Sequence, residues 1–313
     1  MELNKAAVIG CGMVGSTTAY ALTMSGLFTD IILIDVNRER AVGEAMDLSH
    51  CLPFTRPVEI RAGSYCDIKD CGIIIITAGV GQKPGETRLD CINNNVKVFK
   101  SIVPQIVEYN TEAFLLVVSN PVDVLSYVTR KLSGFPANRV FGSGTVLDSA
   151  RLKFIIGRRL NVDPRSVHAF VIGEHGDSEL AVWSSANVSG IPLDSYCEHC
   201  GYKSHESNRK KLEEHVKNSA YQIIDRKGAT YYGIASATLR ICESIVRDEH
   251  SIMPVSALVN GHYGLEDVYI SVPARIGANG VEDIIDIALS PTEHKALADS
   301  ATTLKAAIAQ IGF

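Results

Sequence analysis

The stretch that most narrows what this chain can become is GCGMVG at residues 10–15, together with what flanks it. A short apolar run at 6–9 enters the first glycine. Small apolar residues at helical spacing follow to about Ser25 and close at Gly26. A second apolar run then ends in an acid, Asp35, 20 positions after Gly15. Three spaced glycines alone say little. A strand, a glycine turn, a helix and an acid-terminated strand in that order point to a dinucleotide-binding βαβ unit. Gly10 makes the tight turn, Gly12 lets a pyrophosphate reach the backbone, and Gly15 lets helix and strand pack closely. The helix N-terminus offers N–H donors and the positive end of its dipole. Asp35 would accept hydrogen bonds from the adenosine ribose and repel a 2′-phosphate, which favours NAD over NADP; Arg38 nearby is the opposing charge.

The pattern repeats: a polar helix near 38–50, strands at 58–62 and 73–77, a helix at 90–109, a strand at 114–119, a helix at 122–132 and a strand at 139–141. Strands alternating with helices predict an α/β fold, a doubly wound parallel (Rossmann) sheet whose ligands lie past the carboxyl ends of the strands. Those ends carry Gly10, Asp35, Thr77 to Gly79, Ser119, Asn120, Pro121, Gly142 and Ser143, and Asn120-Pro121 is a candidate cis bond. The second half departs from strict alternation. It reads as a helix from 145 to about 159, strands at 167–172 and 179–184, helices at 206–226 and 230–247, strands at 255–260 and 268–272, and a terminal helix at 292–311. With 313 residues, two units are expected: a dinucleotide-binding domain over 1–143 and an α+β domain over 144–313.

Charge and composition exclude several classes. A net charge of −5, with basic clusters only at Arg158-Arg159 and residues 209–211, argues against a nucleic-acid surface. No run approaches the ~18 apolar residues of a membrane span. The N-terminus enters a strand almost at once, leaving no room for a signal peptide, and the eight cysteines lack framework spacing. Both features predict a reducing, cytoplasmic setting. Cys197 and Cys200 have ligand-like spacing, with His199 and His205 close by, but no second such pair completes a zinc site. A surface loop without a metal is expected there.

Three further stretches carry chemistry. In VIGEHGDSE, residues 171–179, a strand leads into His175 between two glycines, where an imidazole is reachable and free to change protonation. In AGVGQKPGETR, residues 78–88, glycines and a proline flank polar side chains, as in a loop that closes over a pocket. In TVLDSARLK, residues 145–153, Asp148 and Arg151 share a helix face. Taken singly, these are also a capped turn, a plain turn and an intrahelical ion pair.

Together with VVSNPVDV at 117–124, GSGTVLDSAR at 142–151 and KGATYYGIA at 227–235, the motifs run along nearly the whole chain in the order found in L-lactate dehydrogenases. The sequence resembles the bacterial type, within the lactate/malate dehydrogenase superfamily. The resemblance implies that His175 exchanges a proton with the carbonyl oxygen of pyruvate as hydride passes to or from the nicotinamide. It implies that Asp148 orients the ring and raises its pKa, that Arg151 grips the substrate carboxylate, and that Arg88 polarises the carbonyl. Asn120 would bind substrate and the nicotinamide end, and Ile234 would pack on the nicotinamide. Val14, Arg40, Tyr65, Gly79, Val80, Ser101, Val118 and Ser143 would line the cofactor site. Gln82 stands where malate dehydrogenases carry Arg; a neutral group there leaves a second carboxylate unpaired, at a cost of several kcal/mol. Thr230 narrows the same end, so pyruvate and L-lactate are the expected pair. The resemblance also implies a homotetramer and activation by fructose 1,6-bisphosphate at Lys153 and His168, with Lys153 standing where Arg is common. The rival readings are a dehydrogenase for malate or another 2-hydroxy acid, NAD-dependent glycoside hydrolysis, and a non-enzymatic NAD-binding protein.

Overall fold

The computed structural model describes residues 2–81, 88–202 and 205–313. The first half alternates strands β1 (Glu2–Ile9), β2 (Asp30–Ile34), β3 (Glu59–Ala62), β4 (Cys71–Ile76), β5 (Phe114–Val117) and β6 (Val140–Gly142) with helices α1 (Met13–Ser25), α2 (Arg38–Ser49), α3 (Arg88–Tyr109) and α4 (Val122–Ser133). These six strands are parallel, in the spatial order β3-β2-β1-β4-β5-β6. The second half supplies α5 (Val146–Leu160), β7 (Val167–Ile172), β8 (Leu180–Val188), β9 (Ile191–Pro192), α6 (Leu193–His199), α7 (His205–Lys227), α8 (Tyr232–Val246), β10 (Ser251–Val259), β11 (Val268–Gly277), β12 (Gly280–Ile284) and α9 (Pro291–Gln310).

The near-continuous apolar runs of the central strands follow from burial on both faces. Along β4, Ile74 and Ile76 enter one core while Ile73 and Ile75 enter another, and all four are fully buried. The same split holds for Ala7 and Ile9 against Ala6 and Val8, and for Leu115 and Val117 against Phe114 and Leu116. Each such side chain contributes roughly 1.5–3 kcal/mol relative to exposure. The first core lies under α3, α4 and α9. The second lies under α1, α2 and α8.

The second half is less separate than its sequence pattern suggests. Strands β10, β11 and β12 run antiparallel and extend the parallel sheet beyond β6, giving nine strands that cross residue 143. Among the described residues, β7, β8 and β9 form a separate sheet. The loop expected around Cys197 is instead the short helix α6, which ends at Cys200. Among the described residues, no helix is long and apolar enough to cross a membrane.

Two local arrangements position the site. Gly10 takes φ +98° directly after β1, and a Cβ there would come within 2.6 Å of the Ala78 backbone. Gly173 takes φ +95° after β7 and is paired to Ser271 of β11 by backbone hydrogen bonds in both directions, 2.9 and 3.1 Å. Both are left-handed positions that favour glycine. One ends the strand that opens the nucleotide turn, and the other ends the strand that delivers His175.

Candidate active site

A cleft of about 730 Å³ opens past the carboxyl ends of β1, β2 and β4. Of the residues expected at the cofactor, Gly10, Gly12, Asp35, Arg40, Tyr65, Gly79, Val80 and Ser101 line it. Thr77 fixes the glycine turn from beside it, its Oγ1 donating to the Gly10 carbonyl at 2.7 Å. A Cβ on Gly15 would overlap the Gly10 carbonyl oxygen and lie 2.7 Å from Thr77 Oγ1, whereas one on Gly12 would meet nothing within 4 Å among the described residues. Gly15 is therefore a packing glycine and Gly12 borders open space. Among the described residues no side chain caps α1, which leaves its first-turn donors to a ligand. The Asp35 carboxylate accepts from Cys11 N at 2.6 Å and Asn37 N at 2.8 Å. Each oxygen still has lone-pair capacity facing the cleft.

The second cluster is built from α5 and the turn after β7. Thr145 Oγ1 donates to Val171 O at 2.5 Å, and Val171 N donates to Ser149 Oγ at 2.8 Å, which locks the helix against the strand. That register brings Asp148, buried in the first turn of α5, to His175: Asp148 Oδ2 lies 2.7 Å from His175 Nδ1. Arg151 Nη1 donates to the other oxygen of Asp148, also at 2.7 Å. His175 Nε2 keeps no hydrogen-bond partner among the described residues. Burial of His175 opposes its charge, but the Asp148 carboxylate outweighs it and raises the imidazole to about 9. Burial likewise opposes the charge on Asp148, and His175 with Arg151 holds that carboxyl below its usual range. Close by, burial and then Asp148 push the Glu179 carboxyl up to about 8.

The family models described as "lactate/malate dehydrogenase, NAD binding domain" and "lactate/malate dehydrogenase, alpha/beta C-terminal domain" match residues 4–142 and 145–312. The chain belongs to the lactate/malate dehydrogenase family. It is 54% identical to an L-lactate dehydrogenase of Acetivibrio thermocellus over 97% of this chain and 96% of that one. It is 50% identical to an L-lactate dehydrogenase of Thermoanaerobacterium saccharolyticum over 99% of each. Among solved structures, a minor L-lactate dehydrogenase from Enterococcus mundtii superposes with a TM-score of 0.95 at 43% identity, covering 98% of both chains. Like the family, the protein is an NAD-dependent oxidoreductase.

The cleft fits that cofactor. The open space over Gly12 and the uncapped first turn of α1 suit a pyrophosphate. The Asp35 carboxylate suits a ribose diol and would meet a 2′-phosphate charge to charge. Arg40 lines the cleft, while Arg38, the charge that weakened the NAD preference, is exposed and outside the lining. The remaining cofactor expectations fall elsewhere. Val14 and Ile234 are partly buried against the core under α1 and α8, Val118 and Ser143 are buried at the ends of β5 and β6, and Asn120 is exposed where α4 begins. Asn120-Pro121 is cis.

Sequence reasoning passed over the α3 side of the cleft, where Lys97, Val98, Ile102 and Gln105 join Ser101. It also passed over Asn95, buried on the same helix. Its side chain accepts from Val80 N at 2.7 Å and donates to Val80 O at 3.0 Å and to Asn120 O at 3.1 Å. Asn95 thereby ties the root of the loop after β4 to Asn120. The run of three asparagines at 93–95 inside a helical pattern was the available signal.

Gln82 and the side chain of Arg88 lie outside the described residues. Thr230 sits partly buried between α7 and α8. Lys153 is partly buried on α5, and His168 is exposed on β7, the strand against which α5 packs. Among the described residues, two His/carboxylate groups are compact enough to hold an ion, Asp148 with His175 and Glu179, and Asp248 with His250 and Glu282. Neither includes Cys197 or Cys200.

Proposed function

We propose that this chain is an L-lactate dehydrogenase that interconverts pyruvate and L-lactate, with His175 as the proton donor and acceptor. The observation that carries the reading is one carboxylate serving two partners. Asp148 holds Nδ1 of His175 with one oxygen and Arg151 with the other, so Nε2 and the guanidinium are presented together. When bound, the nicotinamide supplies the hydride to the carbonyl carbon. Nε2 of His175 donates its proton to the carbonyl oxygen, and Asp148 stabilises the imidazolium before transfer. Arg151 binds the substrate carboxylate through a planar fork that Lys could not reproduce. Arg88 stabilises charge on the carbonyl oxygen, and Asn120 orients substrate beside the cofactor. The pyruvate preference rests on Gln82 and Thr230, neither of which offers a cation to a second carboxylate.

We also propose a cytoplasmic homotetramer activated by fructose 1,6-bisphosphate through Lys153 and His168. Lys153 supports this reading: burial lowers its pKa, and it has no carboxylate partner among the described residues, so an anion there would relieve an uncompensated charge. One experiment tests the substrate and effector assignments: NADH oxidation with pyruvate and, separately, oxaloacetate, each with and without the bisphosphate. A pyruvate preference sharpened by the bisphosphate is expected. A preference for oxaloacetate would refute the role given to Gln82, and an unchanged pyruvate KM would refute activation.

A further inference from the structure

The turn that carries His175 is held in an unusual way. Its three consecutive backbone N–H groups go to three different elements. Gly173 N donates to Ser271 O on β11, Glu174 N to Ser300 Oγ on α9, and His175 N to Asp123 Oδ2 on α4, at 2.9, 2.8 and 2.8 Å. The third is the only charged acceptor of the three. Asp123 is buried in the first turn of α4, three residues after Asn120, and its other oxygen accepts from Ser271 Oγ at 3.4 Å. Ser271 thus touches both Gly173 and Asp123, so strand, turn and helix are joined at one point.

A buried carboxylate is costly to keep charged, and a serine or asparagine could accept the same N–H. Burial pushes the Asp123 carboxyl up to about 6, while Ser256 of β10 and then the backbone N–H of His175 oppose the rise. Such a group remains ionised near neutral pH, and its charge lies close enough to the imidazole to favour the protonated ring. The other titratable groups acting on His175 are Asp148 on α5, whose second oxygen Arg151 holds, and Glu179 in the same turn, and both raise the imidazole more than Asp123 does. Glu174 raises Asp123, and Lys217 on α7 lowers Glu179.

We propose that Asp123 is a positioning residue for the reaction: it fixes the turn through the backbone N–H of His175 and sets a second negative charge, beside that of Asp148, against the imidazole. It acts only through His175 and touches neither substrate nor cofactor. Because Asp123 belongs to the same helix start as Asn120, it also sets the distance between the proton donor and the end of β5. The inference rests on His175 being the acid–base group, so its test needs a readout that does not require turnover.

That readout is the pH dependence of diethyl pyrocarbonate labelling at His175, followed by peptide mass spectrometry, on wild type and Asp123→Asn. The amide keeps an acceptor for the N–H and removes the charge. The labelling midpoint is expected to fall by about one unit, with the limb of the pyruvate kcat/KM profile falling with it and NADH affinity unchanged. An unchanged midpoint overturns the inference whatever the rate does. A midpoint that moves while the rate profile stays still upholds the charge contact between Asp123 and the imidazole but refutes His175 as the acid, and with it the role of Asp123 in the reaction. Should Asp123→Asn fail to fold, Asp123→Glu decides. It keeps the charge but displaces the acceptor, and a kcat reduced at least about tenfold with NADH affinity within about twofold is expected. Wild-type turnover from that variant overturns the inference.

Discussion

Replacing Gly12 and Gly15 separately by alanine distinguishes a glycine that serves the ligand from one that serves the fold. Gly12 has φ −72° and ψ −173°, a conformation open to any residue, and an added Cβ meets nothing within 4 Å among the described residues. In the free protein Gly12→Ala is therefore neutral or stabilising by about 0.4–1 kcal/mol, through the unfolded chain. The Cβ would stand where a pyrophosphate must approach. An overpacking penalty of about 1–3 kcal/mol corresponds to about 5- to 140-fold weaker NADH. Gly15→Ala differs: its Cβ overlaps the Gly10 carbonyl oxygen, which Thr77 already holds at 2.7 Å. Backbone must move, at about 3 kcal/mol or more, lowering Tm by several degrees before any ligand is added. Differential scanning calorimetry of the free proteins and NADH titration by fluorescence read the two effects separately. If Gly12→Ala lowers Tm as far as Gly15→Ala, or binds NADH within twofold of wild type, the geometric reasoning is wrong.

The other predictions concern protonation and the loop root. With His175 raised from 6.5 to about 9, pyruvate reduction is expected to be flat near neutral pH and to fall as pH rises through about 9, while lactate oxidation gains over the same interval. The same shift stabilises the fold fully below about 6.5 and is lost through about 9, so Tm followed from pH 6 to 10 in wild type and His175→Asn should converge at the alkaline end. Asn95→Ala removes bonds to Val80 N, Val80 O and Asn120 O. At about 1 kcal/mol for each net bond, Tm should fall by several degrees and pyruvate KM should rise more than NADH Kd; a KM that stays fixed would mean the loop root does not need this strut.

Much of the architecture was legible because the signals were local. The turn between β1 and α1, the buried runs of β4 and β5, and the strand before Gly173 each follow from spacing and burial over a few residues. The antiparallel extension was not legible as such. Strands β10 and β11 read as strands, but nothing in their residues says that β10 pairs with β6 rather than with a separate sheet. The helix at Cys197 was hidden by its length, seven residues beginning after a proline. At the site, Asp148 and Arg151 could be placed on one helix face from their spacing, and the resemblance linked them to His175. Asp123 could not be placed: an acid in the first turn of a helix is ordinarily there for the dipole and exposed. It is buried here because α4 starts against the turn of His175, a tertiary circumstance.

The pairing of β6 with β10 also bears on how the chain is made. Strand β6 is the last of the parallel set, and its Val140 and Phe141 are fully buried in the finished protein. During synthesis its outer edge has no cover until β10 emerges roughly a hundred residues later, a delay of about 5–20 s at ordinary ribosome speeds. For that interval the nascent chain exposes an apolar strand edge open to pairing with any other strand. The sheet that gives the mature enzyme one continuous floor thus makes its half-made form sticky, and a polypeptide ending near residue 143 should aggregate even though every strand of its nucleotide fold is present.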